Sequence, residues 1–139
     1  MWVRESSVRT KTDRKSIWAL WSDVESWKSW DDSVEYSAIN GAFRDGTKGT
    51  IKAKNAPESP FILIDCAMLE SFTAKASLPL GKINFIHTMA EDNGEVVLTH
   101  RVEIDGLLTF LFSKIIGKDM ERAIPAALNK LVKLAGQTN

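Results

Sequence analysis

The stretch GKINFIHTMAEDNGEVVLTHRVEID, Gly81 to Asp105, restricts the fold more tightly than any other part of the chain. Asn93-Gly94 is the preferred pair for a two-residue turn between antiparallel strands, because both positions then need positive φ. If the turn closes there, Asp92 faces Glu95, and the other facing pairs follow: Ile83 with Ile104, Phe85 with Val102, His87 with His100, Met89 with Leu98. Side chains alternate between faces with period two, so the last four pairs, from Ile83 with Ile104 to Met89 with Leu98, lie on one face, apolar apart from the histidines. A sheet with such a face must bury it beneath another layer. The chain contains only two histidines, and this register makes them cross-strand neighbours of the closer, non-hydrogen-bonded kind, with β-carbons roughly 4.5 to 5.5 Å apart.

A second two-residue turn at LPLG, Leu78 to Gly81, extends the register and pairs Phe72 with His87, Ala74 with Phe85 and Ala76 with Ile83. Two alanines then share the apolar face, where small side chains leave room beneath whatever covers it. Further turn signals at RDG, Arg44 to Gly46, and NAPESP, Asn55 to Pro60, divide Ser33 to Gly106 into six strands. The strand FILIDCAM is apolar on both faces, so period two assigns neither Asp65 nor Cys66 to the inside.

Before the meander, Met1 to Arg9 reads as a strand, and Thr12 is placed to cap a helix with Asp13 in its first turn. Ile17, Leu20, Trp21 and Val24 follow at helical spacing, and VESWKSW repeats the offset of three with Trp27 and Trp30, so two short helices are expected. After the meander, Leu107 to about Ala135 carries Ile116, Met120, Ala123, Ala127, Leu131 and Leu134 along one side. Gly117 and Pro125 interrupt that pattern, and proline predicts a kink between Glu121 and Pro125. Strand, two short helices, six strands and a long helix make an α+β fold of about seven antiparallel strands curved round the C-terminal helix. At 139 residues the chain is expected to be one domain, 1 to 139, with a core of its own.

In this order of elements the chain resembles the START and polyketide cyclase-like superfamily, also called SRPBCC, whose fold is the helix-grip. The resemblance rests on IWALWSDVESWKSWD, the GAFRDGTKG turn, the FIHTM and VVLTHRVEIDG strands and the final NKLVKLAG. It implies an apolar cavity between sheet and long helix that binds a hydrophobic small molecule such as a lipid or polyketide. Members of this kind include carriers, cyclases and co-chaperones, so a cyclase or dehydrase and an interaction module are the alternatives. Four of the five tryptophans lie between Trp18 and Asp32. Trp18 and Trp21 fit core packing, whereas Trp27 and Trp30 lie next to the pocket end that the resemblance implies.

The candidate ligand-binding residues are therefore Trp27, Trp30, Phe72, Ala74, Phe85, His87 and His100, with His87 and His100 also the candidate catalytic pair. A buried imidazole pair can equally be structural, held neutral because burial disfavours charge. A metal centre lacks a third ligand at suitable spacing, so no metal and no cofactor are expected. GAFRDGTKG has Gly-Thr-Lys where a phosphate loop needs Gly-Lys-Ser/Thr and leads into a strand pattern, so it reads as a hairpin turn. Asp31 and Asp32 read as a helix terminus rather than a catalytic dyad. Lysine plus arginine balances aspartate plus glutamate at 18 each, so no summed field gathers nucleic acid. The run GLLTFLFSKIIG is about half a membrane span and contains Lys114, and its apolar residues surround most of a helix. The single cysteine, Cys66, and the absence of a leader pattern predict a reducing, cytoplasmic setting, and the oligomeric state is open.

Overall fold

The computed structural model describes residues 1–54, 56–78 and 80–137, with the side chains of Phe112 and Ile116 excepted. Asn55 and Pro79, which belong to two of the expected turns, and the stripe position Ile116 lie outside the described residues or side chains. The described residues form β1 (Trp2–Thr10), α1 (Arg14–Ser22), a 3-10 turn (Val24–Ser26), α2 (Trp27–Trp30), β2 (Val34–Ile39), β3 (Lys48–Ala53), β4 (Ser59–Ala67), β5 (Ser71–Leu78), β6 (Gly81–Asp92), β7 (Glu95–Gly106) and α3 (Thr109–Gln137). The strands make one curled antiparallel sheet in the order β1-β7-β6-β5-β4-β3-β2, so the first strand closes one edge beside the last. The fold is α+β, a helix-grip.

The β6–β7 register is the one the Asn93-Gly94 turn dictates, with Asp92 opposite Glu95 and His87 opposite His100. Asn93 and Gly94 have φ of 53° and 79°, the left-handed pair that this turn requires. Leu78 pairs with Gly81, and the β5–β6 pairs Phe72 with His87, Ala74 with Phe85 and Ala76 with Ile83 follow. In β4 the register shifts between Ile64 and Ala67, and Asp65 takes φ of 52°. This bulge turns Asp65 to solvent and lets Cys66 pack against the core while its N–H donates to Asp45 Oδ1 at 2.7 Å.

Fully buried Leu63, Phe72, Leu98 and Ile104 from the concave face of the sheet meet Ile17 and Trp21 from α1 and Leu128 and Leu131 from α3. Burying a side chain of this kind contributes about 1.5–3 kcal/mol, so this layer carries the packing of α3 into the grip. Ser37 of β2 donates to the Val24 carbonyl at 2.6 Å and Lys130 of α3 meets Asp32 at 2.7 Å, which holds the α2 segment between the sheet edge and the long helix.

One local expectation is corrected. The cap of α1 is Asp13, whose Oδ1 accepts from Ser16 N at 2.9 Å, while the N–H of Thr12 donates to Thr10 Oγ1. A carboxylate at that position combines the side-chain acceptor with the charge favoured at a helix start. α3 is a single helix that contains Gly117 and Pro125. A β-carbon at Gly117 would lie 3.1 Å from the Trp2 ring, so that glycine makes room for a side chain of β1 rather than ending the helix.

Candidate functional site

Between the concave face of the sheet and α3 lies a cavity of about 100 Å3. Its roof is the predicted side of α3, where Met120, Ala123 and Ala127 face it. Its floor includes Ala74 and Ala76 of β5, whose methyl groups leave the space that larger residues would fill, and Phe61 and Phe85 beside them. Trp27 and Trp30 of α2 line it as well, each about 5% exposed or less. The Trp27 indole N–H donates to the Trp21 carbonyl at 2.8 Å, which fixes that ring as a wall. Trp27 stacks on Phe61 and Phe72 at centroid distances of 5.6 and 5.8 Å.

His87 and His100 both border the cavity, with ring centroids 4.5 Å apart in an edge-to-face arrangement. Phe72 is fully buried and does not reach the cavity itself; it stacks on His87 at 4.0 Å and holds that ring against the wall. Of the seven residues expected at the pocket, the structure thus brings six to its lining and places Phe72 one layer behind.

Polar satisfaction is unusual around this pair. His87 Nδ1, His100 Nε2 and the Nε1 atoms of Trp21 and Trp30 are buried without a hydrogen-bond partner. The rings concerned are packed together: Trp30 lies 5.7 Å from His100 and 6.4 Å from His87, and Trp21 lies 5.8 and 5.9 Å from His87 and His100. Burial lowers the His87 pKa to about 3, because the imidazolium would lose its hydration. The carbonyls of Phe72 and Phe85 oppose that shift, although neither meets Nδ1 in hydrogen-bond geometry. His100 is lowered well below the ordinary value by burial and then by the neighbouring His87. Both rings are neutral at pH 7, and His87, half-buried, lines the cavity beside buried His100.

Sequence reasoning missed Asp31, which closes α2 and lines the cavity. Its Oδ1 accepts from the N–H and hydroxyl of Ser33 at 3.0 and 2.6 Å. Burial raises its pKa, opposed by those two hydrogen bonds. Asp32, by contrast, points to Lys130, so the adjacent carboxylates serve different surfaces and form no dyad. The signal that would have found Asp31 is its position one residue past Trp30, in the same short segment. Ile51 of β3 also lines the cavity, on the strand face opposite Lys52, and that alternation was visible in the sequence. Among the described residues, no group of three or more His, Cys, Asp or Glu is arranged to hold a metal ion. Cys66, outside the cavity, has its thiol pushed up to about 12 by burial and by Asp45 beside it, which makes it unreactive at neutral pH.

No protein-family profile matches the sequence, and no curated protein matches it. Solved structures do match. The di-domain ARO/CYC StfQ from the steffimycin biosynthetic pathway superposes with a TM-score of 0.80 at 10% identity over 98% of this chain, and this chain spans about half of it, 51%. A START superfamily protein from Mycobacterium smegmatis gives 0.71 at 12% identity, covering 95% of this chain and 98% of that one. Ara h 8.0201 gives 0.67 at 11% identity, again over 95% and 98%. The chain has the helix-grip fold shared by the START and polyketide cyclase-like proteins. Among the described residues no helix is long and apolar enough to cross a membrane.

Proposed function

We propose that the protein binds a hydrophobic small molecule in the cavity between the sheet and α3. The observation that carries this reading is the cavity itself: a folded core that keeps about 100 Å3 open beneath its long helix, walled by aromatic rings and two alanines. Concave, mostly apolar pockets with a few convergent polar groups are where small ligands bind. The resemblance in fold to an ARO/CYC protein and a START protein supports the same reading.

A cyclase or dehydrase is the second reading, favoured by the imidazole pair at the cavity wall. With a conjugate acid near pH 3, however, His87 is a weak proton acceptor at neutral pH, where a catalytic base works best with a pKa close to 7. Binding therefore ranks first. An interaction module that used the outer sheet surface would leave the cavity without a role.

Native mass spectrometry of the purified protein, with titration of toluene followed by NMR, tests the reading. A retained small molecule, or saturable toluene binding that Ala74→Phe abolishes while the circular dichroism stays unchanged, is the expected result. Binding unaffected by Ala74→Phe, or no binding by any apolar probe, overturns it. Turnover of a bound molecule that falls in His87 and His100 variants at unchanged affinity would move the assignment to the enzyme class.

A further inference from the structure

We propose that the cavity takes an uncharged aromatic molecule of about one ring that carries a hydroxyl, with Trp30, His87 and His100 as its polar anchor. This rests on the binding reading above and specifies its ligand.

Size comes first. A cavity of about 100 Å3 is below the ~300–1,000 Å3 of pockets for drug-sized ligands, and near the ~150 Å3 of an engineered protein cavity that binds benzene. A diacyl lipid or a multi-ring polyketide therefore does not fit the space the walls leave. The walls themselves are planar rings: Trp27, Trp30, Phe61 and Phe85 present faces or edges that suit offset or edge-to-face packing with one more ring.

The polar atoms decide the rest. Trp30 Nε1 can only donate, whereas His87 Nδ1 and His100 Nε2 in neutral rings each donate or accept, according to tautomer. All three are buried and unpartnered, on side chains that border the same cavity. An unpaired buried polar atom destabilises a fold, and the usual explanation is a water or a ligand that completes it. A hydroxyl oxygen is the simplest group able to donate and accept at once, which is what a mixed set of one fixed donor and two ambivalent nitrogens calls for.

Charge excludes the alternatives. Among the described lining residues the cationic side chain is Arg101, and its guanidinium is already engaged by Glu5 at 3.3 Å and Glu103 at 2.8 Å. No free positive charge awaits a carboxylate or phosphate, and Asp31 at the wall repels one. Asp31 would attract an amine, but the Ser33 backbone and hydroxyl already satisfy its Oδ1, and the unpartnered atoms lie on Trp30 and the histidines.

The test is titration of the intact protein with phenol, toluene, benzoate and benzylamine, followed by two-dimensional NMR with the indole N–H signals resolved. Phenol is expected to saturate and to shift the Trp30 indole proton downfield, with benzoate and benzylamine binding at least about tenfold more weakly. In His100→Leu and His87→Leu, phenol affinity should fall on the order of tenfold while toluene affinity holds or improves. Because each variant removes an unpaired polar group, loss of fold is not expected, and thermal melts verify it. Benzylamine or benzoate binding tightest would overturn the proposal, as would phenol affinity that is indifferent to both histidines. Binding of toluene without phenol would sink this inference and leave the binding reading standing, whereas failure of every apolar probe would sink both.

Discussion

Lowering the pH from 7 to 5 should destabilise this protein, and the histidine pair should be the reason. Burial holds His87 at about 3 and His100 well below the ordinary 6.5, so neither protonates in the folded state across that range. In the unfolded chain both titrate near 6.5. The unfolded state then binds more protons than the folded one below pH 6.5, and stability rises with pH wherever that holds. The contribution is fully present above 6.5 and is lost as pH falls toward the folded values. At pH 5, some 1.5 units below the unfolded value, the loss is about 2 kcal/mol for each histidine, or about 4 for the pair. Urea denaturation followed by tryptophan fluorescence at pH 7, 6 and 5 measures it, and the pair should move the midpoint by about 2 M. The window matters, since Asp13 and Asp32 are held below the ordinary carboxylate value and titrate outside it. Replacing both imidazoles, in His87→Leu/His100→Leu, should flatten the profile between pH 7 and 5. A wild-type midpoint that is constant over this range, or the same slope in the double variant, would refute the burial and adjacency on which the argument stands.

Asp13→Ala should cost about 0.5–2 kcal/mol in a thermal melt, through loss of the cap to Ser16 N; Thr12→Ala should cost less, and the reverse order would reinstate Thr12 as the cap. At Gly49 an added β-carbon would lie 2.4 Å from the Ala38 carbonyl oxygen and 2.6 Å from the Phe61 ring, so Gly49→Ala should destabilise by about 1–3 kcal/mol and disturb the cavity floor through Phe61. Amide exchange should be faster at the start of α3, where Phe110, Leu111 and Ile115 are exposed, than across Ile124, Leu128 and Leu131, which are buried. Equal protection along the helix, measured by mass spectrometry, would show that another element covers its first turns.

Legibility of the fold followed the strength of the local chemistry. Asn93-Gly94 admits essentially one turn, so twelve residues on either side inherited their partners from it, including the histidine pair. Leu78 to Gly81 was weaker as a signal yet gave the right pairs, because a one-residue slip would have turned Phe72 and both alanines outward. Asp65 and Cys66 resisted, and the reason is physical: a bulge interrupts the alternation on which the reading depends. Asp31 was invisible as a lining residue because a helix-ending aspartate satisfies its own local backbone, as it does here with Ser33, whether or not a cavity lies beside it. The apolar residues after Leu107 surround most of a helix, and among the described residues Leu107 remains 79% exposed and Phe110 66%.

A chain shaped by stability alone would not keep this interior. An empty cavity of about 100 Å3 is worth on the order of 2 kcal/mol at ~24 cal/mol per Å3. Each buried polar atom left without a partner adds roughly 1–3 kcal/mol. Set against a total stability of about 5–15 kcal/mol for a domain, these are large concessions in one small region. They are also easily removed: valine at position 76, facing Ile83 across the strands, or leucine at position 100 adds apolar volume where space and unpaired nitrogen now lie. Stabilisation by Ala76→Val and His100→Leu, together with weakened phenol binding, is the signature of a site in which stability is traded for occupancy. If both substitutions destabilise, the space is needed for packing of α3 and the cavity is a by-product of the grip rather than its purpose.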